Sequence, residues 1–245
     1  MPALVEGDDL GMYVVKLRGA GQGPKALIAE TITGELARAA GFQVPEIVAV
    51  DLDRALALSE PDPELCAPLE ASAGVNVGLD FLPGSITFDP IVGPAPDAAL
   101  ASRLVLFDAF VTNVDRTAKN PNLLHWHGRL WLIDHGASLY FHHGWRATEV
   151  AAGSDDAFRE VRTHVLLRWA TALGEAKAHL RATLTDDVIE RAVSAVPASL
   201  LAADPTGAFD DEGAHRAAYV TWLRARRTAL DVIHEEAARA HAERV

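Results

Sequence analysis

A proline-rich segment, FLPGSITFDPIVGPAPDA at residues 81–98, divides the chain into two parts with different periodicities. It holds four of the thirteen prolines, and non-periodic prolines are typical of connectors. Short β-rich runs and one clear helical pattern precede it, whereas helical patterns dominate after it. The sequence therefore predicts a two-lobed α+β fold: a small strand-rich N-lobe (1–82), a connector (83–96) and a larger, mainly helical C-lobe (97–245).

The N-lobe pattern begins with GMYVVKL, a β-rich run that ends in a glycine-rich stretch, RGAGQGP. The following run, KALIAETITGELARAAG, has apolar residues at helical spacing and a closing glycine that suits a helix C-terminus. VPEIVAVDLD and GVNVGLDFL predict further strands. A strand, a glycine loop and a helix thus follow one another before the connector.

The composition narrows the classes of protein to consider. With 245 residues, 49% apolar and 23% charged, the chain can bury a substantial core, and no segment has the length or apolarity of a membrane span or signal peptide. The net charge of −12 disfavours nucleic acid as a partner. A single cysteine, Cys66, fits a reducing compartment, so we expect a cytoplasmic protein without a membrane partner.

The polar loop TNVDRTAKNPN at residues 112–122 follows a long apolar run and precedes NLLHWHGRLWLIDHG. In the second stretch, two β-forming runs flank a His-Gly pair, which predicts a hairpin. A hairpin brings its first and last residues together. Asp134, at its end, is therefore predicted to lie near Asn120 and Asn122, at its start.

Adjacent carboxylate and amide oxygens suit Mg²⁺, which binds one or two protein oxygens and shares phosphate oxygens with a substrate. Asp115, on the loop beyond, can accept a hydrogen bond from an attacking hydroxyl. This set is what phosphoryl transfer requires. The alternative is that these side chains only cap turns, and the combined spacing favours the functional interpretation.

At these residues the chain resembles the HipA-like kinases, within the protein-kinase-like superfamily. The family has a catalytic-loop Asp, an Asn five residues later and a metal-binding Asp after a short hairpin, which match Asp115, Asn120 and Asp134. The Ala118-Lys119-Asn120 triplet also looks like the family's loop. The resemblance implies a kinase that uses ATP and Mg²⁺, with Asp115 as catalytic base, Asn120 and Asp134 as metal ligands, and Lys119 at the nucleotide.

The resemblance also implies a strand lysine on the nucleotide phosphates and a helix glutamate that holds it. Lys16, after Tyr13-Val14-Val15, matches the lysine, and Glu30 on the following helix matches the glutamate. Glu35 is the alternative. By position in the chain, backbone groups near Asp80, Phe81 and Leu82 are expected to meet the adenine edge as the kinase hinge.

The chain ahead of the lysine strand is short. Only MPALVEGDDL precedes Gly11, whereas kinase small lobes have a strand and a glycine-containing turn before the lysine strand. Either the start is truncated, or the phosphates are covered by Gly19–Gly23, with Gly21, Gly23 and Lys25 as the nucleotide contacts.

The acceptor hydroxyl belongs to an unidentified protein, to this protein itself or to a small molecule. A nucleotide-binding pseudokinase and an adenylyl transferase are the alternative functions. A zinc site built from His125, His127, His142 and His143 is a further alternative for the hairpin region.

Overall fold

The computed structural model of the chain describes residues 2–59, 62–202 and 207–244. The strands are β1 (Pro2–Glu6), β2 (Met12–Lys16), β3 (Ile47–Leu52), β4 (Gly74–Asp80), β5 (Ile86–Thr87), β6 (Leu123–Trp126) and β7 (Arg129–Leu132). The α-helices are α1 (Pro24–Ala39), α2 (Ala55–Ser59), α3 (Pro63–Ala71), α4 (Ala98–Phe110), α5 (Leu173–Thr183), α6 (Asp186–Ser194), α7 (Ala198–Ala202), α8 (Glu212–Thr228) and α9 (Leu230–Ala242). The two-lobed α+β arrangement is as predicted.

A four-stranded antiparallel sheet, in the order β1-β2-β4-β3, forms the small lobe. A strand therefore does precede the lysine strand, because β1 pairs with β2. Its register places Pro2 opposite Lys16. The turn that joins the two strands, residues 7–11, consequently lies at the end of β2 remote from Lys16, and a glycine turn in that place cannot cover the lysine.

Helix α1 is the wall that both lobes share. Proline at its first position and Gly41 beyond its end (φ 86°) match ordinary helix signals. The helix packs against β4 of the sheet and against α6 and α7 of the second lobe. It is therefore buried over most of its circumference, and its polar residues, including Lys25 and Glu30, are buried as well.

The predicted hairpin is formed by β6 and β7, with Leu123 opposite Leu132. His127 and Gly128 both have positive φ, 47° and 72°, as a type I′ turn requires. Strand β5, from the connector, pairs with β6 and completes a three-stranded sheet. The connector is thus attached directly to the hairpin.

The second lobe is built around α4, a largely apolar and buried helix whose N-terminus is capped by Asp97. The helical pattern near residues 155–181 forms an α-helix only in its last part, because 3-10 turns occupy Arg159–Thr163 and Leu167–Trp169 before α5. The backbone of this region pairs with the polar loop, through a bridge between Thr117 and His164 and a hydrogen bond from Val165 to Arg116. Groups used in this way are unavailable to an α-helix. None of the described helices has the length and apolarity that a membrane crossing requires.

Candidate functional site

Two adjoining cavities lie between the lobes, of about 210 and 190 Å³. Pro2, Lys16 and Asp134 line both of them, so the two cavities are parts of one cleft. The larger is bounded by the glycine loop and by Gly136, and the smaller by the connector. Of the residues predicted from sequence to bind a nucleotide, Lys16, Gly21, Asp80, Phe81 and Leu82 line this cleft, whereas Gly23, Lys25 and Lys119 do not.

Lys16, Glu30 and Asp134 form one ion cluster, here called the cleft cluster. The Lys16 ammonium lies 2.5 Å from Glu30 Oε2 on α1 and 2.5 Å from Asp134 Oδ1 just beyond β7. Burial alone would lower the pKa of Lys16, but the charges of Glu30 and Asp134 outweigh it and raise the pKa above its ordinary value. The lysine is thus held in its charged form at the cleft.

Glu30 is fully buried and is held by a second partner, His135. The backbone N–H of His135 donates to Glu30 Oε2 at 2.8 Å, and the ring Nδ1 lies 3.3 Å from Oε1. Burial alone would raise the pKa of Glu30, but the Lys16 charge and the hydrogen bonding of His135 lower it to about 2. Glu35, the sequence alternative, lies instead 3.7 Å from Arg38 on the same helix. The structure thus pairs Lys16 with Glu30.

Asp115 lies on the polar loop and has a fixed carboxylate. Its Oδ2 accepts hydrogen bonds from the side-chain amides of Asn120 (2.6 Å) and Asn122 (3.1 Å). Its backbone N–H donates to Asn113 Oδ1 at 3.1 Å. Within the described ranges no donor reaches Oδ1, so this oxygen is available as an acceptor. Because the side-chain amide of Asn120 contacts Asp115 through its nitrogen, its oxygen can bind another ligand.

The hairpin joins this loop to the metal carboxylate predicted from sequence. The N–H of Ile133 donates to the Asn122 carbonyl at 3.1 Å, so Asp134 follows directly after a backbone bond to the loop. Asp134 itself has φ 54°, in the left-handed region that non-glycine residues seldom occupy and that is enriched at functional sites. Its side chain is half exposed toward the cleft.

The glycine loop reaches the larger cavity through Gly21, which has φ 60°. Gly23 has φ 69° and lies directly before α1. Both positions require a conformation that favours glycine. The loop is consequently tight, and its backbone opens onto the space beside Lys16.

Lys25 and Lys119, both predicted to contact the nucleotide, occupy different settings. Lys25 is buried and its ammonium donates to the His142 carbonyl at 2.5 Å. It lines neither part of the cleft, so the structure does not support its assignment to the phosphates. Lys25 is the second residue of α1, and its side chain is buried in the core. Lys119 is exposed, next to Asn120.

The smaller cavity is lined mainly by apolar side chains. They come from the sheet, the connector and the hairpin, namely Val14, Leu79, Leu82, Leu124 and Ile133. Concave apolar spaces with a few polar groups at one end are typical of ligand sites. The cavity has the character needed for a flat aromatic base.

Asp80, Phe81 and Leu82, which are predicted to meet the adenine edge, also line this cavity. Two of their N–H groups are already used: that of Asp80 donates to the Glu46 carbonyl and that of Phe81 to the Met12 carbonyl, both at 2.9 Å. The third residue is Leu82, whose backbone N–H donates to no backbone carbonyl of the described residues. That these residues meet the adenine edge stays a prediction, and Leu82 is the one whose N–H remains able to donate to it.

The donor set fits the ligands that the family resemblance implies. At the cleft, Asp134 supplies a hard oxygen atom, as Mg²⁺ prefers, and Lys16 supplies a cation. Asn120 also has a hard oxygen atom, but it lines neither cavity. In the part of the chain that the structure describes, no three His, Cys, Asp or Glu residues are grouped to hold a metal. A closed zinc site of four protein ligands therefore has no support from the described histidines.

Sequence reasoning missed a second ion cluster, beneath the polar loop. Asp108, Arg116 and His164, here called the buried cluster, are all almost fully buried. Arg116 Nε lies 2.5 Å and His164 Nε2 2.9 Å from Asp108 Oδ2. The available signal was Asp108 itself, since a carboxylate within the apolar run LVLFDAFV requires a buried partner.

Comparisons with known proteins identify the family and the fold of the chain. A family model described as HipA-like kinase matches residues 1–209. Among solved structures, the crystal structure of the Helicobacter pylori proinflammatory kinase CtkA is similar, with a TM-score of 0.60 at 12% sequence identity over 97% of this chain and 94% of that chain. No curated protein matches the chain. The structural likeness shows a two-lobed kinase-like fold, and the family match includes every site residue discussed above.

Proposed function

Because the chain belongs to the HipA-like kinase family, we propose that it is an ATP- and Mg²⁺-dependent phosphotransferase that transfers the γ-phosphoryl group to a hydroxyl. The observation that carries this proposal is the cleft cluster. It joins a strand lysine, a helix glutamate and the hairpin aspartate, although Lys16 and Asp134 are 118 residues apart in sequence. Such a lysine, fixed by a glutamate beside a metal carboxylate, is the arrangement that kinases use for the nucleotide phosphates.

The cleft supports the proposed position of ATP. The base would occupy the apolar part, between Val14 and Leu79 on one side and Leu124 and Ile133 on the other. The triphosphate would then extend past Lys16 toward the glycine loop at Gly21. The apolar part of the cleft would thus contact the base, and the part with Lys16 would contact the phosphates.

Lys16 is the residue we assign to the phosphates, with Glu30 as its orienting partner. Its ammonium is also bonded to Asp134. Phosphate oxygens would replace that contact, while the buried bond to Glu30 stays. Mg²⁺ would be held by Asp134 and Asn120 and, when bound, neutralises developing charge on the phosphate oxygens.

Asp115 is the proposed base. Its free Oδ1 accepts the proton of the acceptor hydroxyl, whose oxygen forms a bond to the γ-phosphorus as the bond to the β-γ bridging oxygen breaks, and ADP leaves. The amides of Asn120 and Asn122 hold Oδ2 and so fix the direction in which Oδ1 points. Positioning of this kind is the main contribution that protein groups make to phosphoryl transfer.

The proposal is tested with ATP labelled on either the α- or the γ-phosphorus, incubated with the protein and Mg²⁺. Transfer of γ-label to the protein itself, or to an added protein or small-molecule hydroxyl, is the expected result. Transfer of α-label would identify an adenylyl transferase instead.

A thermal-shift measurement separates the remaining alternative. Mg-ATP should raise the melting temperature, because a ligand that binds only the folded state stabilises it. A shift without any label transfer would identify a nucleotide-binding pseudokinase. No shift at millimolar Mg-ATP would reject nucleotide binding altogether.

A further inference from the structure

The buried cluster lies beside the proposed base but outside the cleft. Arg116 immediately follows Asp115 in sequence, yet its side chain is turned into the core, where it is about 1% exposed. Asp108, on α4, is fully buried, and His164 is about 4% exposed. None of the three lines either cavity of the cleft. Their role must therefore be sought in what they hold in place.

The hydrogen bonds define the protonation state of His164. The Leu166 N–H donates to His164 Nδ1 at 3.0 Å, so Nδ1 carries a lone pair. The proton is then on Nε2, which donates to Asp108 Oδ2 at 2.9 Å. Asp108 also receives Arg116 Nε on Oδ2 and the Asn113 amide on Oδ1. With His164 neutral, the cluster contains one negative and one positive charge.

Arg116 connects this cluster to both parts of the site through a single carbonyl. Its Nη1 donates to the Asn122 carbonyl at 2.5 Å. The same oxygen accepts the N–H of Ile133, the residue before Asp134. Arg116 Nη1 and the Ile133 N–H thus share one acceptor. The proposed base, Asp115, precedes Arg116 in sequence, and the proposed metal ligand, Asp134, follows Ile133.

Stability alone is a weak reason to retain such a cluster. Removing two charges from water costs several kcal/mol per ion, and apolar replacements of similar volume are often neutral or stabilising. What apolar side chains cannot supply is direction. The planar guanidinium fixes the angle between the groups it bonds, which lysine, with a single compact charge, does not.

We propose that Asp108, Arg116 and His164 are positioning residues that fix the spacing between Asp115 and Asp134 through the Asn122 carbonyl. The inference rests on the proposed function, since it concerns how the base is held against the metal side of the same site. It predicts that loss of this cluster lowers transfer far more than nucleotide binding, because Lys16 and the two cavities of the cleft do not include it.

The first test is Arg116→Lys, which keeps the positive charge and removes the fork. We expect kcat to fall by about 10²-fold, the cost of misplacing a reacting group by about 1 Å. The KM for ATP and the calorimetric affinity for Mg-ATP should change by much less than kcat. Amide hydrogen exchange, measured by mass spectrometry, should rise together in segments 112–122 and 132–139, since both are bonded to the Asn122 carbonyl.

The second test uses a matched pair of variants at His164. In His164→Gln, the side-chain amide nitrogen can replace Nε2–H toward Asp108, whereas in His164→Asn the side-chain oxygen can replace Nδ1 toward Leu166. Each variant keeps one of the two hydrogen bonds. We expect His164→Gln to retain most of kcat and His164→Asn to lose it, although both lower the melting temperature.

Unchanged kcat in Arg116→Lys and His164→Asn, at a temperature where both are folded, would overturn the inference and leave the cluster a purely structural element. Increased exchange confined to 112–122 would also overturn it, because the coupling to Asp134 would be missing. If the wild-type protein transfers no label, the proposed function fails. The exchange measurement then still decides the positioning inference: a coupled rise supports it and a rise confined to 112–122 rejects it.

Discussion

The cleft cluster and the buried cluster contain the same kind of chemistry in opposite surroundings. In the first, the Asp134 side chain is half exposed and Lys16 borders both cavities. In the second, Arg116 and Asp108 are sealed from solvent and from the cleft. A ligand can therefore compete for the partners of Lys16, whereas it cannot reach those of Arg116.

From this difference we infer that the two ion clusters have different roles in the proposed site, one in binding and the other in positioning. Under the proposed function, the contacts that are exchanged for phosphate and metal lie where solvent enters, and the contacts that persist lie where it does not. Glu30 belongs to both categories, because it contacts the exchanging lysine from a fully buried position and is fixed by His135. Variants that change one cluster at a time should separate binding from positioning.

The largest effect is expected from Lys16→Met. The substitution leaves Glu30 as a fully buried carboxylate without its cation, and breaking a buried pair in this way costs about 3–5 kcal/mol of unfolding free energy. Mg-ATP affinity should be lost as well. Urea unfolding and calorimetry measure the two effects. The matched control is Lys177→Met, whose partner Asp231 is exposed, and its stability should change only slightly. Equal losses in the two variants would contradict the contrast between buried and exposed pairs.

The next largest effect distinguishes the two acids of the site. Asp115→Asn should lower turnover by about 10²-fold or more and leave Mg-ATP affinity near wild type, because a positioned base contributes about 10²- to 10⁴-fold. Asp134→Asn should weaken binding and turnover together, since it removes the charged oxygen of the metal site. Calorimetry and labelled-phosphate transfer provide the two readouts.

Asp115→Asn also tests the interpretation of the polar loop as a turn-capping segment. If the variant unfolds, or if its turnover equals that of wild type, the bonds from Asn120 and Asn122 serve only to build the loop. Turnover lost by a folded protein that still binds Mg-ATP supports a base.

The buried cluster should add a pH window through His164, whereas Asp108 and Glu30, whose pKa values are both lowered, titrate in the same acid window. Burial lowers the pKa of His164 below its ordinary value of 6.5. The unfolded chain then binds more protons, so the unfolding free energy decreases as pH falls below about 6.5, by up to about 1.4 kcal/mol per pH unit for this histidine. Glu30 has its pKa lowered to about 2 from 4.5, so its contribution is present above 4.5 and is lost as pH falls toward 2.

Urea unfolding between pH 8 and pH 3 checks this order. The variant His164→Gln should have a shallower slope between pH 6.5 and pH 5. His142, whose pKa burial also lowers, contributes to the first window in both proteins. An identical slope in the variant would mean that His164 does not titrate in this window.

Local pattern was sufficient for much of the fold and for part of the site. The His-Gly turn, flanked by β-forming runs, predicted the hairpin, and the hairpin in turn predicted that Asp134 lies near the polar loop. The helical period of α1 did not decide between Glu30 and Glu35, because both lie on a helix that is buried by two lobes. Tertiary packing alone distinguishes them.

Where prediction from sequence failed, long-range backbone contacts were responsible. The region around His164 has a helical pattern, but its backbone pairs with Thr117 and Arg116, which are far away in the sequence. Lys25 likewise donates to the His142 carbonyl, 117 residues away in the sequence. Neither contact has a local sequence signal.

The smallest effect is expected from the exposed lysine of the polar loop. Lys119→Ala should weaken Mg-ATP affinity by about twofold to fivefold, because an exposed charge contributes little in water. The difference should shrink as ionic strength rises, since salt screens it. Lys25→Met is the comparison, because its ammonium is bonded within the core, and it should lower the melting temperature without changing the affinity. Calorimetry at low and high salt measures both variants. A larger loss of affinity from Lys25→Met than from Lys119→Ala would reverse the assignment, and it would mean that a buried lysine reaches the phosphates when the nucleotide binds.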